Sequence, residues 1–274
     1  MSYLSSRRGN FRGWVLGLLV SVVVLAAAAL GGRVLYRLYL ETRAYAPPPE
    51  GMVFVPAGRF LIGTDDPEND PGEGPLRRAW LPAFYLDRLE VTNRQFAAVF
   101  PTHQFPPGEA DLPATHVLKS EAQAYARAVH KRLPTGAEWE KGARGTDGRF
   151  YPWGNEFRPE CANVTDRATA PPPRDGTSCA LLPGRKQPGG SFPLGVSLFG
   201  AEDMAGNVWE WVEDVQQDRY PWGWPLGEPR GILRGGAYGY GPRQCRCSYR
   251  AFEGLLATCS DTGFRCAADA VRAP

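Results

Sequence analysis

Apolar residues fall along this chain in two regimes. Between Arg12 and Arg33 lies an uncharged run of about twenty residues, GWVLGLLVSVVVLAAAALGG, long enough as a helix to cross a hydrocarbon core of roughly 30 Å. The pattern predicts a short segment over 1–13, one transmembrane helix with its extension over 14–40, and a proline-rich linker over 41–50. A cleaved signal peptide, with Ala26 to Ala29 near the cut, is the competing reading, and the length of the apolar run disfavours it. From Met52 the pattern becomes short and alternating. MVFVPAGRFLIGT carries apolar positions on both sides of a Pro-Ala-Gly turn and predicts a hairpin. Three short helices then share one start signal, Ser or Thr with Glu or Gln three residues on: Thr92 with Gln95, Ser120 with Gln123, and Thr135 with Glu138. That spacing gives Glu138 a backbone-capping role rather than a catalytic one. Beyond residue 145 periodicity dissolves into turns rich in glycine, proline and aromatic residues. The fold class is therefore α+β, a single domain over 51–274 that is poor in regular structure, of the kind whose loops are stabilised by bound ions or disulfides.

Charge narrows the function classes. Lysine and arginine (31) nearly balance aspartate and glutamate (29), so no global field gathers nucleic acid or acidic substrates. Arginines flank the apolar run on both sides, Arg7, Arg8 and Arg12 before it and Arg33, Arg37 and Arg43 after it, which leaves the positive-inside rule silent on orientation. All six cysteines follow the run, several in Pro/Gly-rich loops, a usage that suits an oxidising compartment. The expected placement is a single-pass protein of a bacterial inner membrane with its C-terminal domain on the periplasmic side. His103, His116 and His130 have no metal-ligand spacing, and neither a phosphate-binding glycine loop nor a nucleophile elbow occurs.

Eight segments carry a family resemblance: MVFVPAGRFLIGTDDP, GPLRRAWLPAFYLDRLEVTNRQF, KRLPTGAEWEKGARG, YPWGNEF, CANV, DMAGNVWEWVEDV, LRGGAY and GFRCAAD. They stand in the order shown by formylglycine-generating enzymes, also called sulfatase-modifying factors, and the chain resembles that family over about residues 51–270. The resemblance implies a fold related to C-type lectins, a mixed sheet and a few helices wrapped in loops, often holding calcium. In DMAGNVWEW it implies a calcium site made of Asp203, the carbonyls of Gly206 and Val208, and Glu210, an oxygen set of the hard type this ion takes. A second ion site is implied at Asn163, the Val164 carbonyl and Asp175, although the loop from 165 to 190 departs from the family's spacing.

Catalytic members of the family oxidise a substrate cysteine with molecular oxygen, using copper held by two thiolates spaced Cys-x4-Cys after a Gly-Gly-Ser segment. Two thiolates suit soft Cu(I). Counted from Gly235-Gly236, the second thiol falls on Cys245, but the first falls on Tyr240 and the serine on Ala237. Oxidase chemistry and a bound copper are accordingly not expected. Cys247 offers a rearranged site, since residues two apart on an extended segment point the same way. The family's structural disulfides are altered as well: its two helix cysteines correspond to Ala126 and Ala143, which leaves Cys266 without its usual partner. Cys161 and Cys179, flanking one loop, are the natural new bridge, and Cys245, Cys247, Cys259 and Cys266 permit three pairings that sequence does not rank. The functional expectation is a membrane-anchored domain that binds, its partners the bilayer and other subunits of a membrane complex. The alternative is a copper-dependent thiol oxidase built on Cys245 and Cys247.

Overall fold

Strand pairing in this domain is long-range from its first element. The computed structural model describes residues 45–68, 70, 72–165, 184–218 and 226–273. The anchor expected over 14–40, Asp175 and Cys179 lie outside them, and no helix among the described residues is long and apolar enough to cross a membrane. The chain divides into two compact units, Met1–Ala46 with Val271–Pro274, and Pro47–Ala270. The second unit carries the motifs.

Within that unit the described residues form three helices, nine strands and two 3₁₀ turns, the mixed content expected. Strand β1 (Met52–Val55) does not fold back on β2 (Gly58–Ile62) as a hairpin. It pairs antiparallel with β4 (Phe84–Asp87), whose other edge takes β9 (Ala267–Asp269), while β2 pairs with β3 (Arg77–Leu81). The alternation that predicted two strands was correct, but alternation fixes which face is buried and not which strand lies alongside. A four-stranded sheet, in the order β7 (Ala251–Gly254), β6 (Arg230–Arg234), β5 (Trp209–Gln216), β8 (Thr262–Gly263), forms the second half of the scaffold.

Two of the three helix starts are as read. In α1 (Asn93–Val99) the Thr92 N–H donates to Gln95 Oε1 at 2.9 Å and the Gln95 N–H to Thr92 Oγ1 at 3.2 Å. In α3 (Gly136–Arg144) the Thr135 N–H donates to Glu138 Oε2 at 2.9 Å, and Glu138 also takes a two-pronged contact from Arg132 at 2.7 Å on each oxygen. Helix α2 (Lys119–Ala128) starts two residues early, because the Leu118 N–H donates to Glu121 Oε2 at 2.9 Å; Ser120 is inside the first turn and caps nothing. A carboxylate three residues from the cap holds the helix end as well as a hydroxyl does.

Helix α3 is the wedge of the domain. Trp139 is fully buried in a cluster with Val55, Phe84, Leu86 and Met204. A buried tryptophan removes on the order of 150–250 Å² from water, worth up to about 4–6 kcal/mol. Next to it Glu140, also fully buried, accepts from Arg144 at 2.8 Å, from Arg234 of β6 at 2.5 Å and from the Gly63 N–H at 2.7 Å. A buried carboxylate is tolerated only when paired in this way. The other large cluster gathers Phe96, Tyr125, Trp209, Trp211 and Phe264, with the Trp211 indole donating to the Val117 carbonyl at 3.0 Å.

Candidate functional site

The stretch after β6 is shaped by its glycines. Gly235 and Gly236 have φ of +93° and +77°, the left-handed region glycine occupies without strain. A Cβ on Gly236 would stand 2.5 Å from Cys245 Sγ, so only glycine lets that sulfur pack there. Ala237 is fully buried. Tyr240 is buried edge-on to Trp209 with ring centroids 5.2 Å apart, and burial, with Asp261 nearby, pushes its phenol far up.

Cys245 and Cys247 do not share a face. The segment turns rather than extends: the Cys245 N–H donates to the Pro242 carbonyl at 3.2 Å and the Arg246 N–H to that of Arg243 at 3.3 Å. Cys245 packs with Ala162 and Ala205, whereas Cys247 joins the Trp139 cluster. Burial pushes the Cys245 thiol far up and the Cys247 thiol to about 12, the latter partly offset by Arg144. Both are protonated at neutral pH, and metal ligation and nucleophilic attack need the thiolate. Cys161 corrects a second expectation. It is a free, buried thiol on the 3₁₀ turn Pro159–Cys161, whose backbone carbonyl packs directly against Gly195 of the turn Pro193–Gly195, so it is not in the bridge expected with Cys179, which lies outside the described residues. Cys245, Cys247 and Cys266 are also free and buried, and Cys259 is disulfide-bonded, so none of the three pairings among those four exists.

The DMAGNVWEW loop is knit by a residue that sequence reading passed over. Asn207, 1% exposed and at φ +64°, accepts from the Gln187 N–H at 2.8 Å and Asn163 Nδ2 at 3.1 Å on its side-chain oxygen. Its amide nitrogen donates to Glu90 Oε1 at 3.0 Å and the Gln187 carbonyl at 3.2 Å, and its own carbonyl takes the Tyr238 N–H at 3.0 Å. Gly206 is forced by close approach, since a Cβ there would meet the Asn163 carbonyl at 2.3 Å. Asn163 thus serves as a tie between loops, with its Nδ2 also reaching the Arg185 carbonyl at 3.0 Å.

The expected calcium ligands are placed unevenly. Asp203, nearly buried at φ +54°, accepts from the Gly190 N–H at 2.6 Å. Glu210 is already engaged: Arg265 grips both its oxygens at 2.7 Å and the Trp139 indole adds a third bond. Glu90 stands beside them with its Oε2 buried and unpartnered. Burial pushes the Glu90 carboxyl well above the usual carboxylate range and the Asp203 charge adds to it; burial likewise raises Asp203. When ionised, the three buried carboxylates outnumber the Arg265 guanidinium beside them and leave Glu90 with an idle oxygen, an arrangement whose chemistry fits a divalent cation with hard oxygen ligands. Among the described residues no three His, Cys, Asp or Glu side chains converge in ligating geometry, so backbone carbonyls would have to supply much of any shell.

Beside this loop opens a cavity of about 550 Å³ whose walls include Asn93, His103, Phe105, Arg185, Lys186 and Tyr238. Asn207 links the two features, holding Gln187 on one wall and the Tyr238 backbone on another.

Residues 40–270 match the model of the sulfatase-modifying factor enzyme 1-like domain. The chain belongs to the sulfatase-modifying factor family. It is 32% identical to the formylglycine-generating enzyme of Thermomonospora curvata, over 80% of this chain and 94% of that protein. It is 30% identical to the inactive C-alpha-formylglycine-generating enzyme 2 of Mus musculus, over 81% and 86% of the two chains. Among solved structures PvdO from Pseudomonas aeruginosa superposes with a TM-score of 0.62 at 28% identity, covering 80% of this chain and 94% of that one. The sulfatase-modifying factor family therefore includes relatives named as active enzymes and relatives named as inactive, and membership alone does not assign oxidase activity.

Proposed function

We propose that this chain is a membrane-anchored, extracytoplasmic member of the family that lacks the oxidase reaction and works by binding, as a subunit of a membrane protein complex. The observation that carries the first part is the state of the reactive segment. Tyr240 and Ala237 occupy the positions of the first thiol and the serine, and the remaining Cys245 is a buried, protonated thiol whose neighbour Cys247 points into a different cluster. A phenol is a hard ligand, protonated near neutral pH and poorly matched to Cu(I). The anchor rests on the uncharged run before Arg33, and the extracytoplasmic placement on cysteine usage together with the disulfide at Cys259.

A calcium ion supports the fold in this reading, held by Asp203, Glu90 and the carbonyls of Gly206 and Val208; it supplies positive charge to a loop that has too little. Glu210 contributes through Arg265, which it orients between the Arg88 and Glu202 carbonyls. A second ion at Asn163, Val164 and Asp175 belongs to the same proposal.

The test is direct. Full-length chain incubated with copper, a reductant and a sulfatase-type cysteine peptide should give no aldehyde by mass spectrometry. Aldehyde formation abolished by Cys245→Ser would overturn the reading in favour of the rearranged thiol oxidase.

A further inference from the structure

The cavity beside the DMAGNVWEW loop has a polarity of its own that neither the family motifs nor the reactive cysteines account for. Its volume is that of a small-molecule site, and its surface is shared between apolar groups and convergent polar ones. Phe105, Leu112 and Tyr238 supply the apolar part.

The polar part has a definite sense. Asn93, 1% exposed, donates through Nδ2 to the Glu109 carbonyl at 2.8 Å, which fixes its Oδ1 as an acceptor. His103 Nε2 lies 2.9 Å from that oxygen and must be the protonated nitrogen, so neutral His103 keeps a bare Nδ1. The ring is held edge-on to Phe96 at 4.9 Å and tilted against Phe105 at 5.9 Å, and does not need rearranging to receive a hydrogen bond. Lys186 is spoken for, donating to Thr115 Oγ1 at 2.8 Å and the Pro113 carbonyl at 3.1 Å beside Glu109 at 3.6 Å. Arg185 is different: it lines the cavity, is exposed, and its guanidinium makes no ion pair among the described residues. Arg185 and Lys186 against Glu109 leave the walls one positive charge in excess.

We propose that this cavity binds a small amphipathic carboxylate: an apolar or aromatic body against Phe105 and Tyr238, the carboxylate on Arg185, and an N–H or O–H of the ligand donated to His103 Nδ1. The planar guanidinium suits a carboxylate better than a point charge would. Burial and the neighbouring Lys186 lower the His103 basicity, which keeps the imidazole neutral and its Nδ1 an acceptor. The inference is independent of the oxidase question, because neither Cys245 nor Cys247 lines the cavity.

The probe is N-acetyl-4-fluorophenylalanine, which carries the aromatic body, the carboxylate and one N–H donor, followed by fluorine NMR with the full-length chain in mild detergent and empty micelles as the blank. Saturable broadening should appear with the acid and weaken about tenfold or more with the neutral primary amide of the same compound, the loss expected for one charge-assisted contact. Arg185→Ala, a surface change that leaves the fold intact, should weaken the acid by a similar factor and leave the amide unaffected. Equal binding of acid and amide, binding of the acid that survives Arg185→Ala, or no binding of the acid at millimolar concentration would each overturn the proposal.

Discussion

Asn207→Ala removes the side chain on which the loop turns, and its cost can be worked from the contacts. Four hydrogen bonds are lost, to Asn163, Glu90 and both backbone groups of Gln187. Asn163 Nδ2 keeps the Arg185 carbonyl and is nearly neutral in the sum. Glu90 is the expensive partner: its Oε2 already lacks a bond and the change strips Oε1 as well, at about 2–3 kcal/mol for a buried acceptor left unsatisfied. Gln187 is half-buried, so water recovers part of each group and about 1 kcal/mol in total is reasonable. The backbone at φ +64° adds about 1 kcal/mol, because asparagine tolerates the left-handed region and alanine does not. The sum, about 4–5 kcal/mol, approaches the whole stability of a marginal domain, about 5–15 kcal/mol. Asn207→Gly isolates the hydrogen-bond component, since glycine accepts that φ, and should be about 1 kcal/mol less damaging. Urea unfolding followed by tryptophan fluorescence measures both, and Trp209 and Trp211 lie within four residues of the change. A loss below 1 kcal/mol for the alanine variant, or alanine better than glycine, would refute the account of Asn207 as the tie of this loop.

Chelation of divalent cations should lower the melting temperature of the full-length chain, and Glu90→Gln should shrink the stabilisation that added calcium gives; identical melting curves with and without chelator would remove the ion from the picture. Cys245 and Cys247 should resist a thiol-specific disulfide reagent at pH 8 until the protein is unfolded, because burial holds Cys247 near 12 and Cys245 further up, and fast labelling of the native protein would count against the buried arrangement. Burial raises Asp261 from 3.8 to about 6, so the stability its neutral form contributes is complete below about pH 4 and lost as pH rises through 6; Asp261→Asn should flatten that stretch of the urea-midpoint profile. Mass spectrometry of purified protein should find the segment from Trp14 retained, whereas an N-terminus near residue 30 would mean a cleaved leader and a product without an anchor.

Local chemistry was legible in the residues themselves. The caps at Thr92 and Thr135 depend on partners three residues away, a separation the helix geometry fixes without help from the rest of the chain. The failure at Ser120 has the same origin, because Glu121 offered Leu118 an equally local alternative two residues earlier. The glycine pair at Gly235-Gly236 was also readable, since its left-handed backbone is a property of the residue type and needs no distant partner. Tertiary structure decided what depended on distant partners. Whether β1 lies against β2 or β4 turns on burial of both faces in a sheet that closes with β9, nearly at the other end of the chain. Cys245 and Cys247 point apart because a turn, rather than a strand, carries them between two cores. The hydrogen bonding of the DMAGNVWEW loop hangs on Glu210 with Arg265, 55 residues apart, and on Asn207 with Glu90, 117 apart. No periodicity encodes such pairs: the chain meets them only when burial has removed water as the competing partner, and a charge left without its match at that point costs more than the local sequence can offset.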